Sequence, residues 1–356
     1  MEMKGTNNPS KDSQRNLYSQ SFMPTLTIFM VGVFLFIWFS IFVIMNALWV
    51  AHDRNKDSSW KQSKPELMTL VSNLLFIRKF YPNFLRILFA DDHTKKYLNQ
   101  FGINSLFQEI NTSVLNKSYK INPDVFWAYS KILAQRATKG PNVLFDLDFR
   151  LFRDLREINF FSYDVGAWSI ESITNKYYYN SPQHSLENIV INKDFDWDEF
   201  AITVCLLYIK DNDFKNLYCD WALDYMYQWT YNHKNDNNNY GENFILFVEQ
   251  YMLAQLIKKN GKKIGTVIED FQDGPLPSYA VGLGVSKNNY DKYAYHYGNN
   301  KPDFYVGSDT YKLEVETIRN YANYVLDDKH GLEILNRIYN IDDNEGCFRK
   351  LDQTIR

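Results

Sequence analysis

Cysteine is almost missing from this chain of 356 residues: Cys205, Cys219 and Cys347 are all it has. Three cannot staple a disulfide scaffold and lack metal-ligand spacing, although Cys205 and Cys219 could still pair in an oxidising compartment. A strong charge of either sign is lacking too, since 39 Lys and Arg stand against 42 Asp and Glu for a net charge of −3. That removes the electrostatic basis for holding nucleic acid, and no nucleic-acid partner is expected. There is no internal repeat, and no low-complexity tract longer than Asn235 to Asn239, which reads as a surface loop. What the chain has in quantity is apolar and aromatic. Hydrophobic residues make up 45%, with 26 Tyr and 26 Phe, enough to require a folded core and to exclude disorder. Aromatic faces and abundant amides suit carbohydrate, and AT-rich coding gives the same bias; composition leaves both open.

Charge is absent altogether between Arg15 and His52, and from Met23 to Ala51 nearly every residue is apolar. Crossing a bilayer takes about 20 such residues. The sequence therefore predicts an N-terminal tail over 1–22 and a transmembrane helix over 23–46, or running on to 51, with a lipid bilayer as partner and a membrane location. A cleaved signal peptide is not expected, because its apolar core would be shorter and would end at small residues. The surplus length leaves Ala47 to Asp53 open, either as the end of this helix or as the first strand of a soluble domain. Lys4, Lys11 and Arg15 on one side balance Arg54, Lys56, Lys61 and Lys64 on the other, so the positive-inside rule selects no orientation. The sequons Asn111-Thr112-Ser113 and Asn116-Lys117-Ser118 fit a luminal domain but arise by chance in an Asn-rich chain.

Beyond a polar stem, helical and strand patterns alternate. Helical spacing over Pro65 to Tyr81 is followed by a strand at Leu85 to Ala90 that ends in Asp91-Asp92. A short helix at Thr94 to Phe101 stops at Gly102, and Leu106 to Ile110 reads as a further strand. A helix from about Asp124 to Thr138 breaks at Gly140-Pro141 before a strand at Asn142 to Phe145. Later helices are expected at Trp197 to Ile209, Phe214 to Asn232 and Asn243 to Lys259, then a strand at Ile264 to Ile268. Alternation of this kind indicates an α/β fold with a mostly parallel sheet flanked by helices, placed at 47–340 with a C-terminal tail at 341–356.

Aspartates two apart are frequent here, so context must select among them. Asp194, Asp196 and Asp198 precede a predicted helix, and Asp211 and Asp213 sit between two, where acids simply complement a helix N-terminus. Asp146 and Asp148 differ, because a buried strand delivers them to its C-terminal end, the edge at which open α/β sheets bind ligands. Two acids there repel unless a cation shares their charge. A divalent ion would do so, as would Arg150 or Arg153. Glu249 is a second anomaly: it shares a helix face with Ile245, Met252, Leu253 and Leu256, and an acid on an apolar stripe needs a partner or a task.

The segments Asp124-Val-Phe-Trp-Ala-Tyr-Ser-Lys131 and Pro141-Asn-Val-Leu-Phe-Asp-Leu-Asp-Phe149 resemble the helix, strand and D-x-D of GT-A-fold glycosyltransferases, nearest to bacterial capsule- and lipopolysaccharide-type transferases. Leu70 to Leu75, Lys79 to Pro82 and Leu88 to Asp92 are similar to their first helix and second strand. Val248-Glu249-Gln250 resembles their acid-Gln motif, and His296-Tyr297-Gly298 with Lys301-Pro302 is similar to the C-terminal His-Gly-Lys element of glycogenin-like transferases, one residue shorter between His and Gly. The order of motifs holds over roughly Ala47 to Pro302. The resemblance implies a GT-A-like domain that moves a sugar from a nucleotide-sugar donor to a glycan, lipid or protein acceptor. It implies Mn²⁺ or Mg²⁺ held by Asp148 and His296, with Asp146 on the metal or the ribose, and Lys301 and Lys131 at the diphosphate. Asp91 would lie at the nucleotide, Glu249 at the acceptor hydroxyl and Gln250 at the donor sugar. Two alternatives stand beside it. Val143 to Asp148 also looks like the opening of haloacid-dehalogenase phosphatases, although Phe149-Arg150 replace their Gly-Thr. The other is a non-catalytic, membrane-tethered binding protein.

Overall fold

The computed structural model describes residues 45–53, 61–171, 189, 200–233, 243–268, 276–285, 294–296 and 309–342, with backbone alone at 243, 284, 294–296, 309 and 310. The predicted transmembrane segment as far as residue 44 and the 235–239 loop lie outside them, and Asn46, its predicted last residue, opens a strand. Among the described residues no helix is long and apolar enough to cross a membrane.

An eight-stranded sheet runs in the order β3-β2-β1-β4-β7-β6-β8-β9. Its members are β1 (Asn46–Ala51), β2 (Leu85–Ala90), β3 (Glu109–Asn111), β4 (Asn142–Phe145), β6 (Val165–Glu171), β7 (Ala201–Ile209), β8 (Ile264–Ile268) and β9 (Ala280–Val285). All neighbouring pairs are parallel except the two that β7 makes, with β4 and with β6. The open choice at residue 47 falls to the sheet: β1 lies between β2 and β4 with Ala47, Leu48 and Trp49 fully buried. A side ribbon pairs β5 (Phe149–Leu151) with β10 (Ala294–His296).

Helices cover both faces. On one side α1 (Lys64–Phe80) packs with α7 (Asp309–Val325) and α8 (Lys329–Asn340) over a core that includes Trp49, Phe145 and Phe149. On the other, α3 (Tyr129–Ala137), α4 (Asn212–Asn232), α5 (Asn243–Leu246) and α6 (Met252–Lys259) enclose Leu48, Leu144 and Leu207. Neighbours Leu48 and Trp49 fall in different cores because successive strand residues point to opposite faces. The remaining helix, α2 (Asp92–Gln100), starts where β2 ends. Helix α1 begins with a capping box, in which Ser63 accepts from the Glu66 amide and the Glu66 side chain accepts from the Ser63 amide, with Pro65 in its first turn.

Three expectations are corrected, and one open choice is closed. The run Ala201 to Ile209, expected as a helix, is strand β7: Ile202, Thr203, Val204 and Ile209 are β-branched, and a central strand buried on both faces shows no alternation to separate it from a buried helix. The helix expected from Asp124 begins only at Tyr129, since Asn122 folds the chain first, accepting from the Asp124 amide through its side chain and from the Phe126 amide through its carbonyl. Asp211 therefore follows a strand rather than a helix. Cys205, on β7, and Cys219, on α4, are both buried free thiols, so no bridge joins them.

Candidate functional site

Strand β4 hands the chain on at the C-terminal edge of the sheet. The Asp146 amide extends the ladder by donating to the Cys205 carbonyl at 2.9 Å, and the Phe149 amide turns back to the Asp146 carbonyl at 3.2 Å. Asp146, Leu147 and Asp148 form the intervening turn, with the Asp148 side chain buried. Phe145 packs into the α1 face, so the alternation that buries it aims Asp146 to the opposite side, toward α3.

There Lys131, projecting from the first turn of α3, bridges two acids. Its ammonium lies 2.6 Å from Asp146 Oδ1 and 3.0 Å from Glu249 Oε1. Glu249 is 4% exposed, against 15% for Lys131 and 17% for Asp146, so the bridge opens to solvent on the Lys–Asp side and is closed behind Glu249. Burial alone would lower the Lys131 pKa, but the charges of Asp146 and Glu249 outweigh it and drive it above the ordinary lysine value, so the ammonium is permanent. Burial raises the Glu249 pKa and Lys131 only partly offsets this, with Asp146 adding to the rise. The ammonium also lies 5.7 Å from the centre of the Trp127 ring, one turn earlier. Glu249 and Gln250 sit on a π-helical segment, Phe247–Tyr251, between α5 and α6.

The predicted residues fall into distinct groups. Lys131, Asp146 and Glu249 converge in one cluster. Asp148 lies on the same turn as Asp146, and the β5–β10 register sets the backbone of His296 opposite Phe149, the residue after Asp148. Lys301 lies outside the described residues. Asp91 has a structural occupation at the same sheet edge: one carboxylate oxygen accepts from the Thr94 amide at 2.8 Å, capping α2, and the other from the Asp53 amide at 2.5 Å, tying the end of β1 to the end of β2. The Arg150 guanidinium, considered from sequence as a partner of the aspartate pair, contacts Glu314 on α7 at 3.1 Å and lies over the Phe152 ring. Among the described residues no group of three or more His, Cys, Asp or Glu is arranged to hold a metal ion.

Further polar groups at this edge carried no motif. Asp53 is buried, with His93 Nδ1 at 3.8 Å from its carboxylate. At the end of β6 the Ser169 hydroxyl donates to Thr203 Oγ1 at 2.9 Å, and the Thr203 hydroxyl donates to Glu171 at 2.6 Å, just past a bulge between Ala167 and Ser169. The run His52-Asp53 after an apolar strand was the one available signal, and the β6 pair had none.

No family model matches this sequence, and no curated protein matches it. Solved structures similar to the chain include mouse xyloside xylosyltransferase 1 in its apo form, at 10% identity and a TM-score of 0.38, covering 69% of this chain and 99% of that one. Others are a galactosyltransferase, LgtC, with donor and acceptor sugar analogues (11% identity, TM-score 0.39, 80% and 96% covered) and the inositol-1-phosphate CTP transferase from T. maritima (12%, 0.33, 78% and 96%). At these scores the likeness assigns no activity to this chain.

Proposed function

We propose that this protein is a glycosyltransferase that takes a sugar from a nucleotide-diphosphate donor. The observation that carries the reading is the buried bridge Asp146–Lys131–Glu249 at the C-terminal edge of the sheet. Buried acids on separate elements cost several kcal/mol unless paired, and folds keep such clusters where chemistry needs them. Here an acid presented by the sheet edge and an acid presented by a helix are held a fixed distance apart by one ammonium, which suits a site that must grip a donor on one side and an acceptor on the other.

In this reading Asp146, the more accessible acid, accepts hydrogen bonds from donor hydroxyls. Lys131 pairs with it at 2.6 Å and offers a positive charge to a diphosphate. Glu249, on the closed side, takes the proton of the acceptor hydroxyl or orients it, with Gln250 beside the donor sugar. Asp91 serves by fixing the ends of β1 and β2.

A divalent ion fits this edge in one respect. Asp148 and the backbone position of His296 flank the turn that Asp146 opens, and carboxylate with imidazole is a donor set that Mn²⁺ or Mg²⁺ accepts. Bound there, the ion would neutralise charge on the leaving nucleoside diphosphate, a task the sequence resemblance also gives to Lys301. The phosphatase alternative has no comparable support, since Phe149 and Arg150 are buried in β5 where a tight glycine loop would have to admit phosphate. A membrane anchor over 23–46 and a glycan, lipid or protein acceptor remain part of the proposal.

Calorimetric titration with UDP- and GDP-sugars, with and without Mn²⁺, tests it. Binding that needs the metal and disappears in Asp148→Ala supports the reading. Absence of nucleotide-sugar binding, or p-nitrophenyl phosphate hydrolysis lost in Asp146→Asn, overturns it.

A further inference from the structure

Glu249 is the middle residue of the π-helical segment. At the end of that segment the Met252 amide donates to the Phe247 carbonyl, five residues back rather than four, so the turn accommodates an additional residue. Widening a buried helix in this way disturbs the regular pairing of backbone groups, and a buried carbonyl without a donor is costly. The Tyr218 hydroxyl, from α4, donates to the Glu249 carbonyl oxygen at 3.1 Å. Tyr218 is fully buried, and burial followed by the Glu249 charge holds its phenol well above the usual range, so it remains a donor. The Phe247 ring, its centroid 5.2 Å from that of Tyr225, seats the same segment against α4, and within the segment it packs on Tyr251 at 5.6 Å.

The direction of the Glu249 side chain depends on that turn. Closing it to α geometry would rotate the residues before it by about 100° relative to those after it, which is enough to carry the carboxylate out of reach of Lys131. We propose that Tyr218 is a positioning residue: by holding the Glu249 carbonyl, its hydroxyl fixes the π turn that aims the Glu249 carboxylate at Lys131 and toward the acceptor. The activity arm of the test rests on the glycosyltransferase reading; the arm on folding does not.

Tyr218→Phe removes the hydroxyl and keeps the ring. The expected result is a kcat reduced about 10- to 100-fold, the penalty of a small misplacement, with the Kd for nucleotide sugar unchanged. The acid limb of the pH profile moves to higher pH, because a Glu249 that has lost Lys131 holds its proton more tightly. On a Glu249→Gln background the same change has no further effect on the residual rate. Independently of activity, the Tm losses of Tyr218→Phe and Lys131→Met combine to less than their sum, since both act on one contact. An unchanged kcat and pH profile, or additive Tm losses, overturn the proposal. If the native protein binds no nucleotide sugar, the transferase reading falls and the Tm cycle alone decides the role of Tyr218.

Discussion

One lysine holds the candidate site together, and its two partners differ in what they lose when changed. Asp146 keeps some contact with water, whereas Glu249 has Lys131 as its compensation for burial. Because burial raises the Glu249 pKa, the folded protein binds that proton more tightly than the unfolded chain. The carboxylate therefore lowers stability as pH rises from the ordinary glutamate range through the folded value, and the penalty persists above it. Glu249→Gln removes this dependence. Urea denaturation at pH 5 and pH 8 is expected to show equal or greater stability for the variant at pH 8; a marked destabilisation at pH 8 would refute this account. The sequence picks out Lys131, Asp146 and Glu249 one at a time, from a strand end, a helix and an apolar stripe. Their meeting is invisible there, because they lie on separate elements and no spacing encodes the approach of α3 to the π-helical segment. Asp91 shows the converse: its chemistry looked like ligand binding from sequence, and the backbone amides of Asp53 and Thr94 take both its oxygens.

At the scale of elements, boundaries set by turn chemistry follow from sequence and sheet membership does not. The Gly102 stop, with φ +81°, and the capping box before α1 are local and readable. Strand β7 is not, since an unbroken apolar run looks the same buried in a helix or in a sheet. The β6–β8 pair adds another non-local feature. Gly166 and Gly265 are register partners, and a methyl group on either would come within 2.6 Å of the Phe160 ring or 2.5 Å of the Tyr163 ring. Two glycines side by side thus make a flat recess that two aromatic rings cover. Gly166→Ala gains strand propensity but must displace Phe160 from a packed core, and a loss of about 1–3 kcal/mol is expected in chemical denaturation. A neutral or stabilising result would show that the ring is not fixed there.

For the molecule as a whole, two apolar cores lie on opposite faces of one sheet, and each contains a cysteine: Cys205 with Trp49 and Phe145, Cys219 with Leu207 and Tyr218. Burial pushes the Cys219 thiol up to about 12, and burial with the charges of Asp146 and Asp148 raises Cys205 as well. Neither thiol meets reagent as a thiolate in the folded state. Iodoacetamide labelling followed by mass spectrometry should therefore leave Cys205 and Cys219 unmodified in native protein and modify both in one cooperative step as urea unfolds it. Labelling of one before the other would mean that the two halves open separately. The α/β class and mostly parallel sheet follow from the alternation of patterns, because each burial period is local. Which strand runs backwards is a property of the assembled sheet.

That reversed strand has a consequence for variation. Glu171, closing β6, and Ala201, opening β7, are ladder neighbours at the rim that also carries Asp146 and Asp148. The stretch between them starts and ends on two adjoining posts and sends Ile189 into the core it shares with Leu207, so a change at one post is felt at the other.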